Sequence, residues 1–166
     1  MEIFTFRNGT IADKEQLKQL GLLSYGQYAS ILTKENWGKL NTNLNDDEKL
    51  ISLIDQSTIF VCCIGEKIIG MAYFVPNGNA WDIFKAEWSY IRMVGVDPSY
   101  SGRGIAKKLT HMCIEKAKKT NEKIIALHTS EFMDAARHIY ENLGFKKIQE
   151  IPERLGKKYW LYTLKL

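Results

Sequence analysis

The segment Val94-Gly-Val-Asp-Pro-Ser-Tyr-Ser-Gly-Arg-Gly-Ile-Ala-Lys-Lys108 runs from an apolar strand pattern, through a turn, into an amphipathic helix pattern. Gly102 and Gly104 permit positive φ and let backbone N–H groups approach a ligand closely. A helix N-terminus adds unpaired donors and a partial positive charge. Together these can seat a phosphate, and Arg103, Lys107 and Lys108 add charge to it. The letters argue against two nucleotide-binding classes. The mononucleotide loop ends in Gly-Lys-Ser/Thr, which this turn lacks. The dinucleotide fingerprint needs a third glycine where Lys107 stands, and an acid where the next strand ends in His128-Thr129. A glycine turn that only tightens a strand-to-helix corner would leave the same letters.

A second candidate is Ala135-Ala-Arg-His-Ile-Tyr140-Glu-Asn-Leu-Gly-Phe145. Tyr140 can hold or give a proton, and taken alone it also reads as a helix-edge aromatic completing a core. Two groups could take a proton. Glu87 precedes a strand, and His128 ends one with a side chain suited to neutral pH. A solvated carboxylate and a strand-end histidine are the plain readings of these two. Cys62, Cys63 and Cys113 have no local cue for thiolate activation. Cys62 and Cys63 are strand neighbours that point to opposite faces, so they form a poor bridge or chelate. His111 and His138 read as helix-surface residues.

These groups need elements to position them. Alternation predicts strands at 2–7, 58–64, 68–75, 88–96, 123–128, 145–148 and 158–164. Apolar residues at helical spacing predict helices at 12–28, 46–55, 102–119 and 131–143. The order is β-α-α-β-β-β-α-β-α-β-β. The strands at 88–96 and 123–128, joined by a helix, should be parallel neighbours with a right-handed crossover.

The chain has 166 residues, 45% hydrophobic and 25% charged, which suits one domain spanning 1–166 and excludes disordered and low-complexity classes. Its net charge of +4 is too small to mark a nucleic-acid binder. The lysines at the ends of the 102–119 helix read as a solubilising face. An odd cysteine count without metal spacing predicts a reducing, cytoplasmic setting and no metal. No apolar run approaches ~18 residues, so neither a membrane span nor a secretory leader is expected.

The two motifs together resemble the GNAT superfamily of N-acetyltransferases, which bind acetyl-CoA. The family's pyrophosphate motif, Q/R-x-x-G-x-G/A, aligns with Ser101-Gly-Arg-Gly104-Ile-Ala106. Gly104 and Ala106 match, while Ser101 replaces the usual Gln or Arg. Val94-x-Val96-Asp-Pro98 is similar to the family's fourth strand, and Ala135…Tyr140…Gly144-Phe145 to its penultimate helix, A-x-x-x-Y-x-x-x-G-F. Met133 stands where many members place an Asn that bonds the coenzyme, and its thioether cannot donate.

The resemblance implies an α/β fold of the α+β type. A mixed, mostly antiparallel seven-stranded sheet would be flanked by about four helices. It implies acetyl-CoA as cosubstrate, an amine acceptor and direct ternary-complex transfer. The coenzyme would be held by Met93, Val94, Val96, Ser101, Gly102, Arg103, Gly104, Ile105, Ala106, Lys107, Met133, Ala136 and Tyr140. Tyr140 would be the general acid, with Glu87, His128 or a water relay as base. Tyr90 occupies a position where some members carry an acid. The pantetheine arm would pair with Met93–Val96 as an added strand, so the strands at 88–96 and 123–128 must splay, and Gly95 suits a bulge there. The same fold can serve as a non-catalytic acyl-CoA sensor. Trp37, Trp81, Phe84, Tyr25 and Tyr28 could line an acceptor pocket or pack in the core. Tyr159–Leu164 would fit a homodimer contact.

Overall fold

The computed structural model describes residues 2–166. Its strands are β1 (Thr5–Gly9), β2 (Thr58–Ile64), β3 (Lys67–Val75), β4 (Ser89–Val96), β5 (Ile124–Ser130), β6 (Lys146–Arg154) and β7 (Lys157–Lys165). Its helices are α1 (Lys14–Gly26), α2 (Lys34–Leu44), α3 (Asp47–Gln56), α4 (Ile105–Lys119) and α5 (Asp134–Asn142). The strands form one sheet in the order β1-β2-β3-β4-β5-β7-β6. Every neighbouring pair is antiparallel except β4–β5, which is parallel as its helical crossover requires.

Period-two alternation loads both faces of the sheet. In β2, Ile59, Val61 and Cys63 join the core under α1 and α3, while Phe60 and Cys62 join the core under α4. Cys62 and Cys63 therefore do lie on opposite faces, and all three cysteines are free and buried. Helix α4 brings Ile105, Leu109, Cys113, Ile114 and Ala117 to its side, and α1 brings Leu17 and Leu20 to the other. One close approach fixes where α4 begins. A Cβ on Gly70 in β3 would lie 2.7 Å from Ile105 Cγ2 and 3.1 Å from Leu109 Cδ1. The absent side chain lets the first turn of α4 rest directly on the sheet.

The structure corrects several expectations. Among the described residues there are five α-helices where about four were expected, because α2 was not foreseen. Thr33 caps it by accepting from the Asn36 N–H at 3.1 Å. Its apolar positions Trp37, Leu40 and Leu44 are only half-buried, and it carries a glycine and several asparagines. The first strand lies at Thr5–Gly9, and Ile3, assigned to it from the sequence, is 70% exposed. Strand β6 continues through Pro152, well beyond the 145–148 expected. β6 is an edge strand, and its register shifts between Ile151 and Arg154, so a missing N–H is tolerated there. β7 lies between β5 and β6 with both backbone edges paired, so Tyr159–Leu164 is not an open edge for a second copy. No helix among the described residues is long and apolar enough to cross a membrane.

Candidate active site

The site begins where two parallel strands part. β4 and β5 pair only at Ser89↔Ile125 and Tyr90↔Ala126, though β4 continues to Val96 and β5 to Ser130. The divergence has a local cause. Against β3, Tyr73 pairs with Arg92 and Met71 with Gly95, so β4 carries an extra residue between them. Met93 sits in that bulge with φ 52°, a strained left-handed conformation for a non-glycine side chain. The bulge therefore falls at Met93–Val94 and not at Gly95. Gly95 is small for another reason, since a Cβ there would come within 3.0 Å of Ser24 Oγ on α1.

Past the open end of β4, Asp97 accepts the Ser99 N–H at 2.9 Å and turns the chain toward α4. Gly102 (φ 76°) and Gly104 (φ 78°) are left-handed, and an added Cβ on either would meet nothing within 4 Å. Gly104 is the N-cap of α4 and offers no side chain to it. The first helical bond runs from Lys108 N–H to the Gly104 carbonyl at 3.0 Å, so the donors of Ile105, Ala106 and Lys107 precede the ladder. An exposed, side-chain-free turn with three such donors fits a pyrophosphate.

Beside the wedge lies a cavity of about 770 Å³. One wall comes from α1, α2 and α3 through residues such as Tyr25, Tyr28, Leu40, Leu44 and Leu53. The other comes from β4, β5 and α5 through Arg92, Met93, Val94, His128, Met133, Ala136 and Tyr140. Trp81, Phe84, Tyr90 and His128 form a stack, with Phe84 and Tyr90 rings 4.5 Å apart and Phe84 and His128 5.7 Å apart. The Arg92 guanidinium lies 3.7 Å from the Trp81 ring centre. The loop carrying Trp81 is tied down by buried Glu122, which accepts from the Asn77 backbone N–H at 3.2 Å and its side-chain amide at 2.8 Å.

Burial sets the proton chemistry here. Tyr140 is 7% exposed, and burial pushes its hydroxyl above the usual tyrosine range. No protein atom among the described residues pairs with that hydroxyl. Burial, reinforced by the charge of Arg154, lowers His128 to about 4, so its imidazole is neutral at pH 7. Burial also pushes the Cys62 thiol up to about 11 and Cys113 further still, leaving both protonated.

The lowered His128 value carries a stability prediction. Above pH 6.5 the ring is neutral in both folded and unfolded chains. Between 6.5 and about 4 the unfolded chain takes up a proton that the folded one refuses, so stability falls with pH in that window. At about 1.4 kcal/mol per pKa unit, the contribution is on the order of 3 kcal/mol. Urea midpoints at pH 7 and 4.5 should therefore separate less in His128→Phe than in the wild type. An equal separation in both proteins would show that His128 titrates normally.

The sequence matches the acetyltransferase (GNAT) family profile over residues 27–145. The chain belongs to the GNAT family. Among its curated relatives, an uncharacterised N-acetyltransferase of Methanocaldococcus jannaschii is 28% identical over 99% of this chain and 68% of its own length. The N-acetylaspartate synthetase of Xenopus tropicalis is 31% identical over 70% of this chain, which spans only 41% of that protein. Among solved structures, the PaiA N-acetyltransferase of Thermoplasma acidophilum in complex with coenzyme A shares the fold, with a TM-score of 0.79, 18% identity and 99% coverage of both chains. A Salmonella typhimurium acetyltransferase with acetyl-CoA shares it at a TM-score of 0.72 and 17% identity, over 98% of this chain and 93% of its own. This GNAT protein is an acyltransferase.

Within this GNAT fold, the foreseen residues fall into two groups. Met93, Val94, His128, Met133, Ala136 and Tyr140 meet at the cavity, and the Met133 sulfur accepts from Thr129 Oγ1 at 3.7 Å. Val96, Ser101, Gly102, Arg103, Gly104, Ile105, Ala106 and Lys107 lie around the start of α4, with Ile105 turned into the core. Arg103 is exposed and pairs with Glu2 at 3.2 Å. Glu87 is not brought to the cavity. It is exposed just before β4, beyond the closed end of the wedge. Tyr90 gives its hydroxyl to the Asn79 carbonyl at 2.8 Å. Tyr25, Tyr28 and Trp81 line the cavity, whereas Trp37 and Phe84 do not. Arg92 was missed. Its signal was a lone cation inside the otherwise apolar run Tyr90–Val96.

Proposed function

We propose that this protein transfers an acetyl group from acetyl-CoA to a primary amine in a ternary complex, within the single unit 1–166. The observation that carries this is the wedge between β4 and β5, where β4 runs on toward the glycine turn and lines, through Met93 and Val94, the cavity that also holds Tyr140. Acetyl-CoA supplies an acetyl thioester whose C–S bond breaks as the amide C–N bond forms. The donors at Gly102–Lys107 hold the pyrophosphate, and the unpaired stretch of β4 at Met93–Val96 aligns the pantetheine arm as a strand would. A β4 N–H near Val94 polarises the carbonyl.

His128 takes the proton that the attacking amine must lose. It is neutral at working pH and so free to accept, and the amine's proton is easier to remove once its nitrogen has added to a carbonyl. Tyr140 gives its proton to the departing sulfur. Thiolate and phenol share one dry environment, which raises the basicity of both and keeps the transfer near balance. Cys62 and Cys113, buried and protonated, are no nucleophiles, which favours direct transfer over an acyl-cysteine route. Free buried thiols also suit a reducing cytoplasm.

The test is an acetyl-CoA binding titration beside an amine panel read by free-thiol release. Tight binding with acetylation of at least one amine is the expected result. Binding without turnover on any amine, peptides included, would instead make the protein an acyl-CoA sensor.

A further inference from the structure

The cavity contains a cation that the proposed transfer does not use. Arg92 lines it, stacked 3.7 Å over the Trp81 ring. The neighbouring cations are already engaged. Arg154 grips Asp82 with contacts of 2.6 and 2.8 Å, Lys18 pairs with Asp47 at 3.0 Å, and Lys49 donates to Asn43 at 2.6 Å. Among the described residues, Arg92 alone of these four has neither an ion pair nor a side-chain hydrogen bond. The groups near its charge are Tyr25, Tyr73, Tyr90 and Asp82. Three of those four are committed elsewhere: Tyr90 to the Asn79 carbonyl, Tyr73 to the Met71 sulfur and Asp82 to Arg154. A half-buried guanidinium in that condition needs an anion. The Trp81 ring takes none of its N–H donors, and a guanidinium's planar N–H fork is the geometry a carboxylate meets.

We propose that Arg92 receives the carboxylate of the acceptor, and that the acceptor is an α-amino acid with a large apolar side chain. This rests on the acetyl-transfer reading above. Two links place the amine correctly. His128 and Arg92 both adjoin Trp81. Tyr25 and Tyr140 line the same cavity as Arg92 and His128. A carboxylate on Arg92 thus leaves an amine one carbon away in the cavity that His128 and Tyr140 also line. The side chain would lie against the wall formed by Tyr28, Leu40, Leu44 and Leu53.

The experiment compares L-phenylalanine, L-phenylalaninamide, phenethylamine and glycine at saturating acetyl-CoA, read by thiol release. Wild-type kcat/KM should favour phenylalanine over its amide and over phenethylamine by at least about 100-fold, because a site built to pair a charged group rejects analogues lacking it. Glycine should trail phenylalanine by at least about tenfold for want of an apolar side chain. In Arg92→Met the acid-to-amide ratio should collapse to within about threefold of unity. Arg92→Lys should fall between, having charge without the fork. Melting curves and acetyl-CoA affinity certify that both variants fold. Amines acetylated without acid preference would overturn the role of Arg92 and leave the transfer reading standing. Glycine as good as phenylalanine would overturn the side-chain assignment. Acetyl-CoA bound with no amine acetylated would overturn the transfer reading, and this proposal with it.

Discussion

Tyr140→Phe should bind acetyl-CoA within about twofold of the wild type yet turn over at least about 100-fold more slowly, the usual scale of a lost general acid. The substitution keeps the ring and its edge contact with Phe145, whose centre is 6.0 Å away. It deletes only a hydroxyl that no protein atom among the described residues engages. Packing therefore changes little, and the effect should fall on kcat. Stopped-flow turnover beside equilibrium binding separates the two. Unchanged kcat would end the general-acid role and leave water as the proton source.

Gly104→Trp should raise the acetyl-CoA dissociation constant by at least about 100-fold. Two effects act together. A non-glycine residue held left-handed is strained by roughly 1–2 kcal/mol. A large side chain over the turn also blocks the approach of an anion to the N–H donors of Ile105 and Ala106. Losing two charge-assisted hydrogen bonds, at about 1.5–3 kcal/mol each, accounts for the shift without any disturbance of the core. The Cβ would point into open space, so the fold should survive, as circular dichroism would show. Calorimetric binding at wild-type affinity would remove the phosphate seat from the start of α4.

Much of this was legible because local chemistry and tertiary role agree. The apolar alternation of β2 and β3 needs two covered faces, and the sheet supplies them. Gly102 and Gly104 read as residues free to take positive φ, and both do, although the helix expected from 102 begins only at Ile105. The parallel pairing of β4 with β5 follows from a strand–helix–strand order. What escaped depends on contacts that no local pattern carries. Met93 adopts positive φ because β3 and β4 differ by one residue in register. Arg103 turns to Glu2, roughly a hundred positions away in the chain, instead of standing free over the turn. Glu87 was assigned from its nearness to β4, but a strand has two ends and the site lies at the other. Helix α2 has few apolar residues because it packs on α1 and lines a cavity, so its pattern is weak.

The parting of β4 from β5 leaves two strands with bare backbone facing each other in the middle of the sheet. Unpaired strand edges are where proteins join one another into fibrils, and outer edges are commonly guarded by charge, proline or bulges. These inner edges have a different guard. Helix α1 lies over β4 on one face, with α4 over β4 and α5 over β5 on the other. A foreign β-strand, with side chains projecting to both faces, does not fit between them. The same helices that wall the slot thus keep its bare backbone away from other copies of the protein.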